Sequence, residues 1–128
     1  LFAITNTTAV DLRFRFTIGG TNTTTNYART GIGSTTGGAA FYWYTNTSTD
    51  AWIIGDTTGT NGSHFTSLDI HNPNVAANTG GNGNYIRSDG QTANFGGFQT
   101  SSNQFDGFNL QPGSGTMTGT IRVYGYNN

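Results

Sequence analysis

Two histidines, six aspartates and many hydroxyl side chains are the raw material for chemistry in this chain. His64 and His71 stand seven residues apart in a run that reads as one strand. Side chains alternate across a strand, so an odd separation sends the two imidazoles to opposite faces, where they cannot share one metal ion. They read as an exposed histidine and a strand-end histidine. All three residue types of a Ser–His–Asp triad are present, but no Gly-x-Ser-x-Gly elbow lies between a strand and a helix. Gly113-Ser114-Gly115 sits in a turn, where small residues serve left-handed backbone geometry. Paired carboxylates for glycoside hydrolysis would have to be aspartates, since Glu is absent, and most of the Asp residues flank Gly, Thr or Asn in a turn-like context. Around Asp56 and Asp89 no complete calcium-loop pattern occurs. The reading is therefore a non-enzyme with no catalytic, metal or cofactor residues.

Aromatic side chains are the stronger signal. Trp43, Trp52, Tyr42 and Tyr44 offer flat faces on which a saccharide ring could stack, which makes a carbohydrate-binding module one candidate. The same alternating aromatics on adjoining strands also suit the core and edges of a sandwich, the reading favoured by the general burial of large rings. Asn6, Asn22, Asn46 and Asn61 each begin an N-x-[ST] triplet, as expected by chance in a chain so rich in Asn and Thr.

The elements that must position these residues follow from composition. With 128 residues the chain suits one domain. Gly (20), Thr (24) and Asn (15) make up nearly half of it, Lys and Glu are absent, and Leu occurs four times, so helix formers are too scarce for a bundle. Disorder requires high net charge and few aromatics, whereas the charge here is -1 and 13% of residues are aromatic. Five scattered arginines make no basic patch for nucleic acid, and no apolar run reaches the ~18–20 residues of a membrane span. Absence of Cys removes disulfides and thiol chemistry. The chain opens on Leu1 rather than Met, so an upstream segment is expected, and no signal-peptide pattern remains to be read.

Leu1 to Thr8 reads as an N-terminal arm ahead of a domain spanning 9–128. The clearest strand is Val10 to Ile18, with Val10, Leu12, Phe14, Phe16 and Ile18 on one face and Asp11, Arg13, Arg15 and Thr17 on the other. Thr21 to Gly38 reads as a long loop or weak edge hairpin. Strands are expected at Ala40–Thr45, Trp52–Gly55, Phe65–His71 and Tyr85–Ser88. The turn Asp56–Gly62 ends in Asn-Gly, a hairpin signal, and Val75–Gly83 reads as a polar connection. Thr92–Thr100 carries Phe95 and Phe98 around Gly96-Gly97, suggesting a bulge or a close backbone approach. Phe105–Leu110 and Thr118–Tyr126 flank a Pro-Gly turn and read as a C-terminal hairpin. About eight short strands predict an all-β, antiparallel, jelly-roll-like sandwich.

Two stretches resemble a known group. Phe65-Thr-Ser-Leu-Asp-Ile-His-Asn-Pro73 is similar to the strand-then-Asn-Pro signature of small virion proteins of tailed bacteriophages. Phe105-Asp-Gly-Phe-Asn-Leu-Gln-Pro-Gly-Ser-Gly-Thr-Met-Thr-Gly-Thr-Ile-Arg-Val-Tyr-Gly-Tyr126 resembles their C-terminal hairpin, whose last strand ends in a Val-Tyr-Gly type motif. The resemblance runs from about Leu12 to the end, strongest in the last 25 residues and loose between Gly19 and Gly62. It implies a structural virion protein without catalytic residues, a β-sandwich that commonly forms homotrimers. Such proteins include capsid decoration (cement) proteins and tail or fibre components. A decoration protein contacting the major capsid protein on the outer head surface is the favoured expectation, because the chain is one short domain without coiled-coil or β-helical segments. A tail-tip receptor binder, contacting other tail proteins or a host surface glycan, is the alternative.

A thin aliphatic core gains from burying a further face against copies of the same chain. The arm and the Thr21–Gly38 loop are the segments expected to drape over neighbours. Tyr and Arg are enriched at interfaces. Arg122, Tyr124 and Tyr126 of the last strand, with Arg13 and Arg15 of the first, are the expected contact residues. Ile121 and Val123, of opposite parity to Arg122 and Tyr124, are expected to face the core.

Overall fold

The computed structural model describes residues 2–6, 10–34, 41–56 and 63–125. These form eleven strands: β1 (Phe2–Asn6), β2 (Asp11–Ile18), β3 (Thr21–Asn22), β4 (Tyr27–Ser34), β5 (Phe41–Thr49), β6 (Trp52–Asp56), β7 (Ser63–His71), β8 (Thr79–Arg87), β9 (Thr92–Gln99), β10 (Gly107–Pro112) and β11 (Met117–Ile121). One sheet has seven strands in the order β11-β1-β7-β8-β9-β4-β5. The second has four, with β2 flanked by β10 and, end to end, by β6 and β3. Among the described residues every strand pairing is antiparallel, and the sheets pack together as an all-β sandwich.

The alternation in β2 sets the core. Leu12, Phe14 and Phe16 are fully buried and meet Trp52 and Ile54 of β6, Tyr27, Tyr85, Ala93 and Phe95 of the large sheet, and Phe105. Aliphatic residues are few, so aromatic contacts fill the space. The Phe16 ring lies 4.5 Å from Phe105, 5.0 Å from Phe14 and 5.2 Å from Trp52, centroid to centroid. Two buried polar groups at the centre of this core are satisfied locally, as low-dielectric interiors favour. The Phe16 N–H donates to Tyr27 Oη at 2.8 Å, and Thr23 Oγ1 lies 2.5 Å from the same oxygen. Trp52 Nε1–H donates to the Phe98 carbonyl at 3.2 Å.

Trp52 also explains the glycines. A Cβ added at Gly81 would stand 2.8 Å from its ring, and one at Gly97 would stand 2.8 Å from Nε1 and 2.6 Å from the Ala28 carbonyl. The Gly96-Gly97 pair is thus a close approach, and the β4–β9 and β8–β9 registers run through it without a bulge.

Several expectations need correction. Phe2–Asn6 of the expected arm is an interior strand between β11 and β7. Its inward residue Ile4 is buried, and backbone pairing on both edges holds a segment whose side chains show little pattern. Within the expected loop, Tyr27–Ser34 forms β4, an interior strand; its inward positions include Gly31 and Gly33, which hide the alternation. Likewise β8 begins at Thr79, inside the expected connection, with Gly81 and Gly83 inward. The C-terminal segment is no hairpin. β10 pairs with β2, setting Leu110 beside Phe14 and Phe108 beside Phe16, while β11 crosses to pair with β1 in the other sheet. β6 and β7 also lie in different sheets, and their turn falls largely outside the described residues.

Candidate functional site

The two histidines occupy opposite faces of β7, which excludes a shared metal site within the chain. His64, expected to be exposed, is instead fully buried beside Gly55, where an added Cβ would stand 2.9 Å from the imidazole. The reason is register: His64 shares the inward row with Ile4 and Arg87. His71 ends the strand on the outer face and bonds through Nε2 to Asn82 Oδ1 at 3.0 Å.

Arg13 and Arg15 lie on the outer face of the small sheet, as their parity predicts, and both turn to Asp50. Arg15 is nearly buried; its guanidinium pairs with the Asp50 carboxylate and its Nε–H donates to the Asp50 carbonyl at 2.8 Å. Arg13 Nη1 stands 3.6 Å from the same carboxylate. Their charge is therefore engaged within the chain. Arg122 and Tyr124 lie elsewhere, on a cleft described below, and Tyr126 falls outside the described residues.

Ile121 and Val123 do not enter the core: they are 44% and 69% exposed. Their parity points to the inner side of the sheet, but β11 is its edge strand, and the small sheet does not cover it there. Gly119 lies close against the neighbouring strand, where an added Cβ would stand 2.9 Å from Ile4 Cα of β1.

Two surfaces remain as candidates. The first is the outer face of the seven-stranded sheet. Its registers align Phe65, Ile86, Thr92, Ser34 and Phe41 in one row, and Ser67, Asn84, Asn94, Ile32 and Trp43 in the next. Phe41, Trp43, Phe65, Ile86 and Phe98 are all exposed on this face, Trp43 by 77%. Cross-strand polar pairs lie between them, Ser67 Oγ–Asn84 Oδ1 at 3.2 Å and Ser34 Oγ–Thr92 Oγ1 at 3.2 Å. Toward the Phe98 end, Gly80 and Gly96 leave the face without side chains, forming a trough of about 450 Å³ walled by Phe98, His71, Asn82, Thr30 and Thr45. Trp52, the other ring proposed for stacking, is 2% exposed and belongs to the core. The side chains of Tyr42 and Tyr44 lie outside the described residues.

The second surface is a cleft of about 890 Å³ where the two sheets part. One wall is Ser67–Val75, the facing wall is Arg122–Gly125, and Phe14, Phe16, Phe105 and Phe108 line its apolar interior. Sequence reading placed Arg122 and Tyr124 at a contact surface but missed the cleft, because its walls are distant in sequence.

Comparison with models of protein families, with curated proteins and with solved structures returns no match to this chain.

Proposed function

We propose that this chain is a structural protein of a tailed-bacteriophage particle, a decoration protein that sits as a homotrimer on the outer head surface against the major capsid protein. The observation that carries the assembly reading is the outer face of the large sheet, where Phe41, Trp43, Phe65, Ile86 and Phe98 are exposed together. Rings and aliphatic chains shown to water on one sheet face mark a surface meant to be covered. The polar side chains among them, Ser67, Asn84, Ser34 and Thr92, supply neutral hydrogen-bonding groups, which cost less to desolvate than charges. The placement in a phage particle rests on the sequence resemblance.

Native mass measurement at micromolar concentration tests assembly: a trimer is expected, and a clean monomer argues against it. The double change Phe65→Ser, Ile86→Thr should give a folded monomer, since both side chains are half exposed. Particles stripped of the protein should lose heat resistance; stripped particles as robust as intact ones would defeat the cement role.

A glycan-binding role, alone or at a tail tip, is the second reading. It is favoured by the exposed Trp43 ring and by the trough with its imidazole, amide and hydroxyl rim. Binding to a glycan array that is lost on Trp43→Ala or Asn82→Ala would establish it in place of the first.

A further inference from the structure

The loop between β7 and β8, residues 72–78, carries the Asn72-Pro73 dipeptide, which the assembly and glycan readings leave unused. A proline confines the residue before it to extended backbone, because its Cδ meets that residue's N–H and Cβ. Asn72 instead has a φ of 59°. Among the described residues Asn26 is the other non-glycine with positive φ, and it does not precede a proline. A residue in such a conformation persists only where its surroundings hold it. Two hydrogen bonds do so here. The hydroxyl of Thr79, fully buried at the start of β8, donates to the Asn72 carbonyl at 3.2 Å. The Phe105 N–H donates to the Pro73 carbonyl at 2.8 Å. The Asn72–Pro73 peptide bond is thus gripped on both sides, in a loop whose own side chains are exposed.

The chemistry open to this bond is narrow. In most Asn-X pairs the N–H of the following residue attacks the side-chain amide carbon, and ammonia leaves. Pro73 has no N–H, so that route is closed. The reverse attack is open: Asn72 Nδ2 can reach its own main-chain carbonyl carbon and close a succinimide ring. The Asn72 side chain is exposed and so has room to turn onto that carbon. The carbonyl under attack is the one that Thr79 holds, so the Thr79 hydroxyl already faces the oxygen on which negative charge would develop. Breaking the bond also frees Asn72 from a backbone conformation that its proline opposes.

We infer that Asn72–Pro73 is a self-cleavage site. Nδ2 forms a bond to the Asn72 carbonyl carbon and gives up one proton to water. The C–N bond to Pro73 breaks, and the proline nitrogen takes up a proton from water. Fragment 1–72 then ends in a succinimide, which one water opens to asparagine or isoasparagine, and fragment 73–128 begins at the Pro73 amine. The halves stay together after the cut, because Ser67–His71 of the first pairs with Gly80–Asn84 of the second and β1 pairs with β11. This inference goes beyond the virion reading and does not rest on it.

The test uses the intact chain with protease inhibitors, held for weeks in neutral and in mildly alkaline buffer and followed by mass measurement under denaturing conditions. Fragments 1–72 and 73–128 should appear at a rate independent of protein concentration and faster in the alkaline buffer. Early in the course fragment 1–72 should be one water lighter than its free acid. The native chain should cut roughly tenfold or more faster than the same chain in urea, where the Thr79 bond is lost. Asn72→Gly accepts left-handed backbone but lacks the amide, and should stay whole. Thr79→Val should slow the cut by roughly tenfold or more, and Thr79→Ser should restore it. Thermal melts of each variant show that it is folded, and the comparison of native and unfolded chain needs no variant. No cut in the native chain, or equal rates with and without urea, would overturn the site. A fragment 1–72 that carries the free acid from the outset, or a cut in Asn72→Gly, would overturn self-cleavage in favour of a protease. An unchanged rate in folded Thr79→Val would overturn the part assigned to the hydroxyl.

Discussion

Gly97→Ala should be among the most damaging single-methyl additions to this protein. The Gly97 φ lies outside the left-handed region, so backbone strain plays no part. The added Cβ would stand 2.6 Å from the Ala28 carbonyl oxygen and 2.8 Å from Trp52 Nε1, both closer than real Cβ contacts allow. The carbonyl belongs to the β4–β9 pair, so the ring is the part free to move. Trp52 cannot move alone: its ring lies 5.2 Å from Phe16, 5.9 Å from Phe14 and 6.0 Å from Tyr27, and its N–H is bonded to Phe98. Overpacking of a filled core costs about 1–3 kcal/mol, and losing the indole bond adds about 1 kcal/mol, giving roughly 2–4 kcal/mol. Gly96→Ala is the control. Its Cβ would point to the outer face and meet only the Gly81 carbonyl at 3.7 Å, so the change should stay within about 0.5 kcal/mol. Urea unfolding followed by far-UV circular dichroism measures both, with the slope unchanged if only stability is affected. In a Trp52→Phe background the Gly97→Ala penalty should shrink, because the clashing Nε1 is gone. Equal stability of the Gly97→Ala and Gly96→Ala proteins would refute the reasoning.

Other expectations follow from the same contacts. Burial pushes the Tyr27 phenol above its ordinary value, partly offset by its bonds with Thr23 and the Phe16 amide and by the nearby Arg15. The fold holds the neutral form, so this contribution is complete below about pH 10, where an unfolded tyrosine begins to ionise, and is lost as pH rises through the higher folded value. Absorbance at 295 nm should show one tyrosine titrating after the others, and Tyr27→Phe should flatten the alkaline loss while costing about 1–2 kcal/mol at neutral pH. Asp50→Ala should cost about 1–2 kcal/mol by leaving the nearly buried Arg15 guanidinium with only a carbonyl; the half-exposed carboxylate keeps the figure below that of a fully buried pair, and thermal melts at two salt concentrations measure it. Val123→Ala should change stability by less than about 0.5 kcal/mol in the same melts, as expected of a side chain outside the core.

Period-two alternation could be read wherever large side chains marked it. β2 is the clearest case: its apolar parity predicted Leu12, Phe14 and Phe16 in the core, where they lie, and set Arg13 and Arg15 on the opposite face, although Asp50 covers Arg15 there and Ile18, of core parity, is 41% exposed. Composition alone excluded a helical bundle, and the odd spacing of His64 and His71 alone excluded a shared metal within the chain. β4 and the first half of β8 escaped notice because two successive inward positions in each are glycine, Gly31 and Gly33 in one and Gly81 and Gly83 in the other. A missing side chain leaves no mark in a hydrophobic pattern, although it is the feature that admits Trp52 at Gly81. Partners were equally out of reach. A turn signal states that the chain reverses, not whether the next strand stays in its sheet, so β10–β11 looked like a hairpin until pairing with β2 and β1 divided it. Exposure depends on what lies across the sandwich: Ile121 and Val123 have inward parity, but no layer among the described residues covers them fully. The cleft was the least accessible of all to sequence reading, because its walls, Ser67–Val75 and Arg122–Gly125, are distant in sequence and meet only in the folded chain.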